Sequence, residues 1–303
     1  MPVGVATNCG YRRKMQKILL ILGPTASGKT AYGHAMARRH DGEIINMDSM
    51  QVYADLQILT ARPDADEMGD VPYHMFGHVN AAIAYSTGIW QDEAMVAIAD
   101  IQSRGKRPIL VGGTGLYAHA LTEGLVPTPP VPADIRATTR LSVGADPRAA
   151  HARLMQVDPE AGKRIEPKDS VRIARALEVY DATGRPLSDW HKDPQPPLLA
   201  KGTWEGIALM PERDVLYARI EARFDAMMDA GGLNEAHALW QRRLDRDLPA
   251  MKAVGMPPFS DFFEQYCDYE TAVSRSILDS RHYAKRQMTW IRNRASAWKV
   301  IPV

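Results

Sequence analysis

The run ILLILGPTASGKT, residues 18–30, constrains this chain more than any other stretch. Ile18 to Leu22 are five aliphatic residues with no polar alternation, the pattern of a strand buried on both faces. The turn after them fits G-x-x-x-x-G-K-[ST], with Gly23, Gly28, Lys29 and Thr30 at the required places. In that pattern the glycines let backbone wrap around phosphate oxygens, the lysine reaches the outer phosphates, and the threonine hydroxyl can hold Mg2+. Ala31 to Arg39 can continue as a helix whose N-terminus favours an anion. Gly23, Pro24, Thr25, Ala26, Ser27, Gly28, Lys29 and Thr30 are therefore expected to cradle a diphosphate or longer polyphosphate, with Thr30 as the Mg2+ ligand. A plain glycine-rich turn explains the glycines but not Lys29 and Thr30 together. What the phosphate carries is left open by the motif.

A parallel strand needs partners, and the sequence supplies them. Glu43–Asn46 reads as a short strand ending at Asp48, and Arg107-Pro108 leads into a second buried run from Ile109. Between them Ser86 or Thr87 can cap a helix running through Arg104 to Gly105. Gly206 to Met210 has the composition of another strand, and residues 212–230 repeat apolar positions at helical spacing before Gly231-Gly232. The prolines of residues 126–132 break the alternation. The chain beyond them reads as helical with no convincing strand, including a helix capped by Asp169 or Ser170 and stopped before Gly184. The expected architecture is α/β: a P-loop NTPase-like parallel sheet with helices on both faces and an inserted helical subdomain. Residues 17–124 and 200–303 are expected to form the core, 125–199 the insertion, and 1–16 a loose tail.

Charge is balanced, 37 Lys and Arg against 36 Asp and Glu, so nucleic-acid binding would have to come from local basic patches. Cys9 and Cys267 lie far apart and form no metal-binding spacing, which suits free thiols in a reducing compartment. No apolar run is long enough to span a membrane, and a cytoplasmic enzyme is expected.

Asp48 opens DSMQVY at the edge of the sheet where open α/β folds bind ligands, and it suits a metal-holding or general-base role. GGTGLY, residues 112–117, allows close backbone approach and offers the Thr114 hydroxyl, although a simple strand-to-helix turn explains it equally well. Arg219 and Arg223 are four apart and share a helix face, where they can meet a phosphate or pair with acids such as Glu221. Residues 281–294 carry five basic residues and no acid. On a helix Arg281, Lys285 and Arg292 share one side with Met288 between them, a pattern that fits an RNA backbone or an ordinary solvated face. Arg172 and Arg175 lie in a second basic run. His74 and His78 are a weak metal pair, because Pro72 and Gly77 argue against a regular helix there.

Taken in order, GPTASGKT, DSMQVY, GGTGLY, RALEVYDATG, RIEARFDAM and YAKRQMTW resemble the bacterial tRNA dimethylallyltransferase family from about residue 17 to residue 298. The resemblance implies that the loop holds dimethylallyl diphosphate and that the acceptor is N6 of adenosine 37 beside the anticodon. It implies Asp48 as the base at the amine, Thr25 at the oxygen joining allyl carbon to diphosphate, and Lys29 and Arg223 with Mg2+ around the leaving diphosphate. It places tRNA contacts at Asp48, Ser49, Met50, Gln51, Thr114, Arg136, Arg172, Arg175, Lys285, Arg286, Gln287 and Arg292, with the helical insertion gripping the anticodon stem. A monomer is expected.

Two stretches depart from the family pattern. Leu59-Thr60-Ala61-Arg62-Pro63 replaces G-T-A-K-P, losing a glycine but keeping a charge, and Gly255-Met256-Pro257-Pro258 replaces a G-Y-K-E-like string. The two prolines are expected to forbid a helical turn, so RNA contact is not extended to Met256–Pro258. Three other activities stay open. An isopentenyltransferase acting on free AMP or ATP would not need the basic insertion. A P-loop kinase or NTPase would place an acid after its second strand, where ILVGGTG ends in glycines. A pure RNA-binding module would leave the loop and Asp48 unexplained.

Overall fold

The computed structural model describes residues 16–126, 129–193 and 195–303. The tail expected at 1–16, with Cys9, lies outside the described residues apart from Gln16. The chain divides into two compact units, one containing the described residues up to Ala118 with Leu199–Val303, the other His119–Leu198.

In the first unit the chain alternates between strand and helix: β1 (Ile18–Leu22), α1 (Lys29–His40), β2 (Gly42–Asn46), α2 (Ala65–Met68), β3 (Tyr73–His74), α3 (Thr87–Ser103) and β4 (Arg107–Gly112). α4 (Gly115–Thr122) leads out of it. The second unit is helical: α5 (Ala133–Ala145), α6 (Pro147–Val157), α7 (Pro159–Arg164), α8 (Ser170–Thr183) and α9 (Leu187–Trp190). The chain returns to the first through β5 (Trp204–Leu209), α10 (Arg213–Asp229), α11 (Gly232–Gln241), a 3-10 turn at Pro249–Lys252, α12 (Met256–Phe263), α13 (Tyr269–Arg294) and β6 (Lys299–Ile301). The six strands form one sheet in the order β3-β2-β4-β1-β5-β6, and every pairing is parallel. Leu19, Leu20 and Ile21 of β1 stand beside Ile109, Leu110 and Val111 of β4, and Ile21 also faces Ile207 of β5.

The unbroken apolar runs are explained by this arrangement. Leu19, Ile21, Ile109, Val111, Ile207 and Leu209 pack with Ala37 of α1 in one cluster. The alternate residues Leu20, Leu22, Ile45, Leu110 and Ala208 are fully buried too, so helices cover both faces of the sheet. Ser86 caps α3 by accepting the Ile89 N–H, and that helix buries Trp90, Ala94, Ile98 and Ile101. In another cluster Leu216 and Ile220 of α10 pack on Ala284 and Met288 of α13.

The core of the helical unit gathers Val143, Leu154, Ala161, Ile165, Ile173 and Leu177. Asp169 caps α8 through the Arg172 N–H, and Gly184 closes it at φ 68°. Buried Asp158 accepts from Ala161 N and from Ser188 N, each at 2.9 Å, tying the start of α7 to α9.

Two expectations are corrected here. Met256-Pro257-Pro258 does not forbid a helix; it begins α12, after Gly255 at φ 95°. Proline is tolerated in a first turn because the N–H groups there have no intrahelical acceptor to lose. The stripe with Met288 between basic side chains is broken as well. Met288 is buried against α10, and Arg281 pairs with Glu221, the acid expected beside Arg219 and Arg223. Among the described residues no helix is long and apolar enough to cross a membrane.

Candidate active site

In an all-parallel sheet the loops leaving the strands gather at one edge. After β1 comes the Gly23–Thr30 loop, after β2 Met47-Asp48-Ser49, and after β4 Gly113-Thr114. Backbone sets the loop's shape: Ala26 sits at φ 61° and Gly28 at φ 81°, which turns the chain so that α1 begins at Lys29. A residue other than glycine at such an angle is strained, and Ala26 adopts it inside the anion-binding turn.

Close contacts lock the neighbouring loops. Asn46 is wholly buried; its side chain accepts from Asp48 N at 2.8 Å and donates to Asp48 O and Met75 O. Asp48 Oδ1 accepts from Met50 N at 2.9 Å, fixing the carboxylate at the head of the turn. The Thr114 hydroxyl accepts from Ser49 N at 2.9 Å and donates to Ser49 Oγ at 3.3 Å. The glycines of GGTG permit this packing: a Cβ at Gly112 would strike the Met47 carbonyl, and one at Gly115 the Trp290 ring. Both readings of that stretch therefore hold, a tight turn and a hydroxyl that organises DSMQ.

Gln287 of α13 reaches across to both loops. It accepts from Thr25 N at 2.8 Å and donates to Gly113 O at 3.0 Å. The side chain expected to touch tRNA is thus buried and bound to protein backbone at both ends of its amide. Arg223, from α10, donates to Thr25 Oγ1.

Two adjoining pockets result. One is walled by the loop from Thr25 to Thr30 with Gln51, Glu67, Arg219 and Arg223. The other is walled mainly by apolar side chains: Met50, Leu59, Ile220, Phe224, Met227 and Val254, with Ser280 and Tyr283. Thr25, Asp48, Thr60 and Arg223 line both. Burial pushes the Lys29 ammonium down to about 8, with Asp48 opposing that shift and Arg223 adding to it. Burial likewise lowers the Arg223 guanidinium, against the pull of Asp48. Burial raises the Tyr283 phenol, reinforced by the Asp48 charge. Two cations whose charged forms are disfavoured by burial thus share one pocket wall with a single carboxylate, Asp48, acting on both. The Ser27 hydroxyl is buried with no hydrogen-bond partner, and Ser27 and Thr30 belong to the same wall. That oxygen packs against Gly23 beside Leu209, so it is the Thr30 hydroxyl that suits a hard cation taking most of its ligands from phosphate and water.

The remaining predicted positions are dispersed. Lys285, Arg286 and Arg292 are exposed on α13, with Arg286 5.8 Å from the centre of the Tyr283 ring. Arg136, Arg172 and Arg175 belong to the helical unit and line neither pocket; Arg172 is exposed and pairs with Asp169 at 2.7 Å, and Arg175 stands 3.6 Å from Glu178. His74 and His78 face different carboxylates, Glu43 and Glu93. No group of three or more His, Cys, Asp or Glu suited to a metal occurs among the described residues. Reasoning from sequence missed Tyr283 and Ser280 as wall residues, while Arg219, read as able to meet a phosphate, lines the charged pocket. Ser280, Tyr283 and Gln287 recur at helical spacing on one face of α13, which was the available signal.

A family model described as IPP transferase matches residues 51–294, and one described as isopentenyl transferase matches residues 16–73. The tRNA dimethylallyltransferase of Rhodopseudomonas palustris strain TIE-1 is 50% identical over 282 residues, covering 93% of this chain and 94% of its own. That of Hyphomonas neptunium is 48% identical over 291 residues, covering 95% and 92%. Among solved structures, the tRNA isopentenylpyrophosphate transferase of Bacillus halodurans aligns with a TM-score of 0.67 at 36% identity, covering 95% of this chain and 90% of its own. A eukaryotic dimethylallyltransferase acting on tRNA aligns with a TM-score of 0.79 at 28% identity, covering 95% and 74%. With half its residues shared across nearly its whole length and a family model matching most of it, the chain belongs to the tRNA dimethylallyltransferase (IPP transferase) family.

Proposed function

We propose that this protein transfers the dimethylallyl group of dimethylallyl diphosphate to N6 of adenosine 37 in the tRNA anticodon loop and releases diphosphate. One observation carries the reading: an anion-binding pocket and an apolar pocket meet at Thr25, Asp48 and Arg223. A donor with a charged head and a five-carbon apolar tail fits across such a junction, its scissile C–O bond at Thr25. An isopentenyltransferase using free AMP would share the junction, but the relatives at about half identity are named for tRNA.

The chemistry is governed by charge. An adenine exocyclic amine is a weak nucleophile because its lone pair is delocalised into the ring. As the N6–C bond forms and the allylic C–O bond breaks, N6 must lose a proton and the diphosphate gains charge. Asp48, held by Met50 N through one carboxylate oxygen, is placed to take the proton. The loop amides, Lys29 and Arg223 face the leaving oxygens, and charges preset there stabilise the transition state without reorganising. To Thr25 Oγ1, which accepts from Arg223, we assign the contact with the bridging oxygen. A Mg2+ ion at Thr30 would neutralise phosphate charge. An allylic cation shares its charge with the double bond, so positioning and electrostatics suffice without a covalent enzyme intermediate.

Adenosine 37 must leave its stack to reach Asp48, and a loop base costs less to extrude than a paired one. Ser49, Met50, Gln51 and Thr114 surround its entry. Lys285, Arg286 and Arg292, with Arg136, Arg172 and Arg175 of the helical unit, supply cations for the anticodon stem-loop backbone. We take a monomer as the working form, and a tRNA substrate suits the cytoplasm. Asp48→Asn tests the assignment. Transfer should fall by about 10² to 10⁴, with inorganic diphosphate bound as before. Unchanged turnover would remove Asp48 from the chemistry.

A further inference from the structure

Residues 57–61 form an irregular wall shared by the two pockets: Leu59 and Thr60 line the apolar one, Thr60 and Ala61 the charged one. Turn bonds from Ala61 N to Ile58 O and from Arg62 N to Gln57 O hold part of this segment, and one distant carboxylate gathers the amides those bonds leave. Glu235 Oε2 accepts from Gln57 N at 2.8 Å and Ile58 N at 2.9 Å, and Oε1 accepts from Leu59 N at 2.9 Å. Three charge-assisted bonds converge on one side chain, in the first turn of α11 where the helix dipole favours a negative charge. From the other side Gln51 Nε2 donates to Thr60 O and Ala61 O, each at 2.9 Å. Ala61 sits at φ 47°, a conformation that persists in a non-glycine residue only where its surroundings impose it. Glu235 itself lines neither pocket.

We infer that Glu235 is a positioning residue for prenyl transfer: by gathering the 57–59 amides it sets Leu59 and Thr60 against the allyl group at the point where Asp48, Thr25 and Arg223 meet. The inference rests on the proposed function for its turnover arm only. The diphosphate is held by the 23–30 loop and Arg223, which Glu235 does not touch, so allyl positioning and anion binding come apart when Glu235 changes.

Glu235→Gln keeps the shape but turns an amide donor toward backbone donors, and Glu235→Asp keeps the charge but falls short of three amides. For each, hydrogen exchange at residues 57–61, kcat for transfer to tRNA, and the Ki of inorganic diphosphate are measured. Exchange at 57–61 should rise at least about tenfold while the 23–30 loop stays protected. Turnover should fall on the order of tenfold or more, the scale of losses from sub-ångström misplacement. The Ki should stay within about twofold, as for sites that do not share partners. Unchanged exchange would show that Glu235 does not hold the wall. Faster exchange with full turnover would reduce it to a structural brace, and a parallel loss of diphosphate binding would mean a loosened scaffold; either overturns the inference. Wild-type protein that prenylates no tRNA would refute the proposed function and the turnover arm together, while exchange at 57–61 would still report whether the anchor exists.

Discussion

Gln287 offers the sharpest contrast between a braced site and an RNA contact. In Gln287→Ala the Thr25 N–H loses its acceptor at 2.8 Å and the Gly113 carbonyl its donor at 3.0 Å. The Gly113 bond is buried and Gln287 is only 6% exposed, so water does not readily replace the donor there, while the half-buried Thr25 bond at the pocket wall costs less to lose. Each orphaned buried backbone group costs about 1–3 kcal/mol, so the pair costs about 2–4 kcal/mol once partial relaxation is allowed. For a chain of this size that lowers Tm by roughly 3–6 °C. Thr25 carries the hydroxyl that Arg223 orients, so transfer should fall as well, and diphosphate affinity should weaken with the loosened loop. Thermal unfolding, diphosphate titration and steady-state kinetics on the one variant read all three. An unchanged Tm and diphosphate affinity with only the KM for tRNA raised would refute this reasoning and restore Gln287 as an RNA contact.

Arg223→Ala removes the cation shared by both pockets and should cost about 10² to 10³ in kcat/KM for the donor, as loss of a preset charge at a developing anion does; a loss under about threefold in steady-state assays would place the charge stabilisation elsewhere. Lys29 sets the pH profile. Its protonated form binds the diphosphate, and burial sets its free value at about 8, so kcat/KM for the donor should decline as pH rises through about 8. A bound anion restores the charged form, so the kcat profile should decline only at higher pH, and identical profiles for the two parameters would contradict this.

How much of the molecule is legible in the sequence depends on how far each signal travels along the chain. β1 and β4 are visible because strands buried on both faces leave unbroken apolar runs, and the phosphate loop because its function depends on local backbone shape. Asp48 is visible through its place just past β2. β3, of two residues, and β6, with Lys299 and Val300 exposed, are edge pieces whose pairing leaves no such pattern. Pro257 and Pro258 mislead because the same residue that breaks a helix interior can open its first turn. Gln287 and Glu235 are out of reach for another reason. Their partners lie 174 to 262 residues away, and no local periodicity reports a contact that only the fold creates.

The most direct measurement is a single incubation of the purified protein with Mg2+, dimethylallyl diphosphate and an unmodified tRNA bearing adenosines at positions 36 to 38, without ATP, with the nucleosides then digested and weighed. The predicted result is a gain of one dimethylallyl mass on adenosine. No gain on tRNA but gain on free AMP would point to a small-molecule prenyltransferase. No transfer to either, with phosphate released once ATP is supplied, would contradict the reading and make the Gly23–Thr30 loop an ordinary nucleotide site.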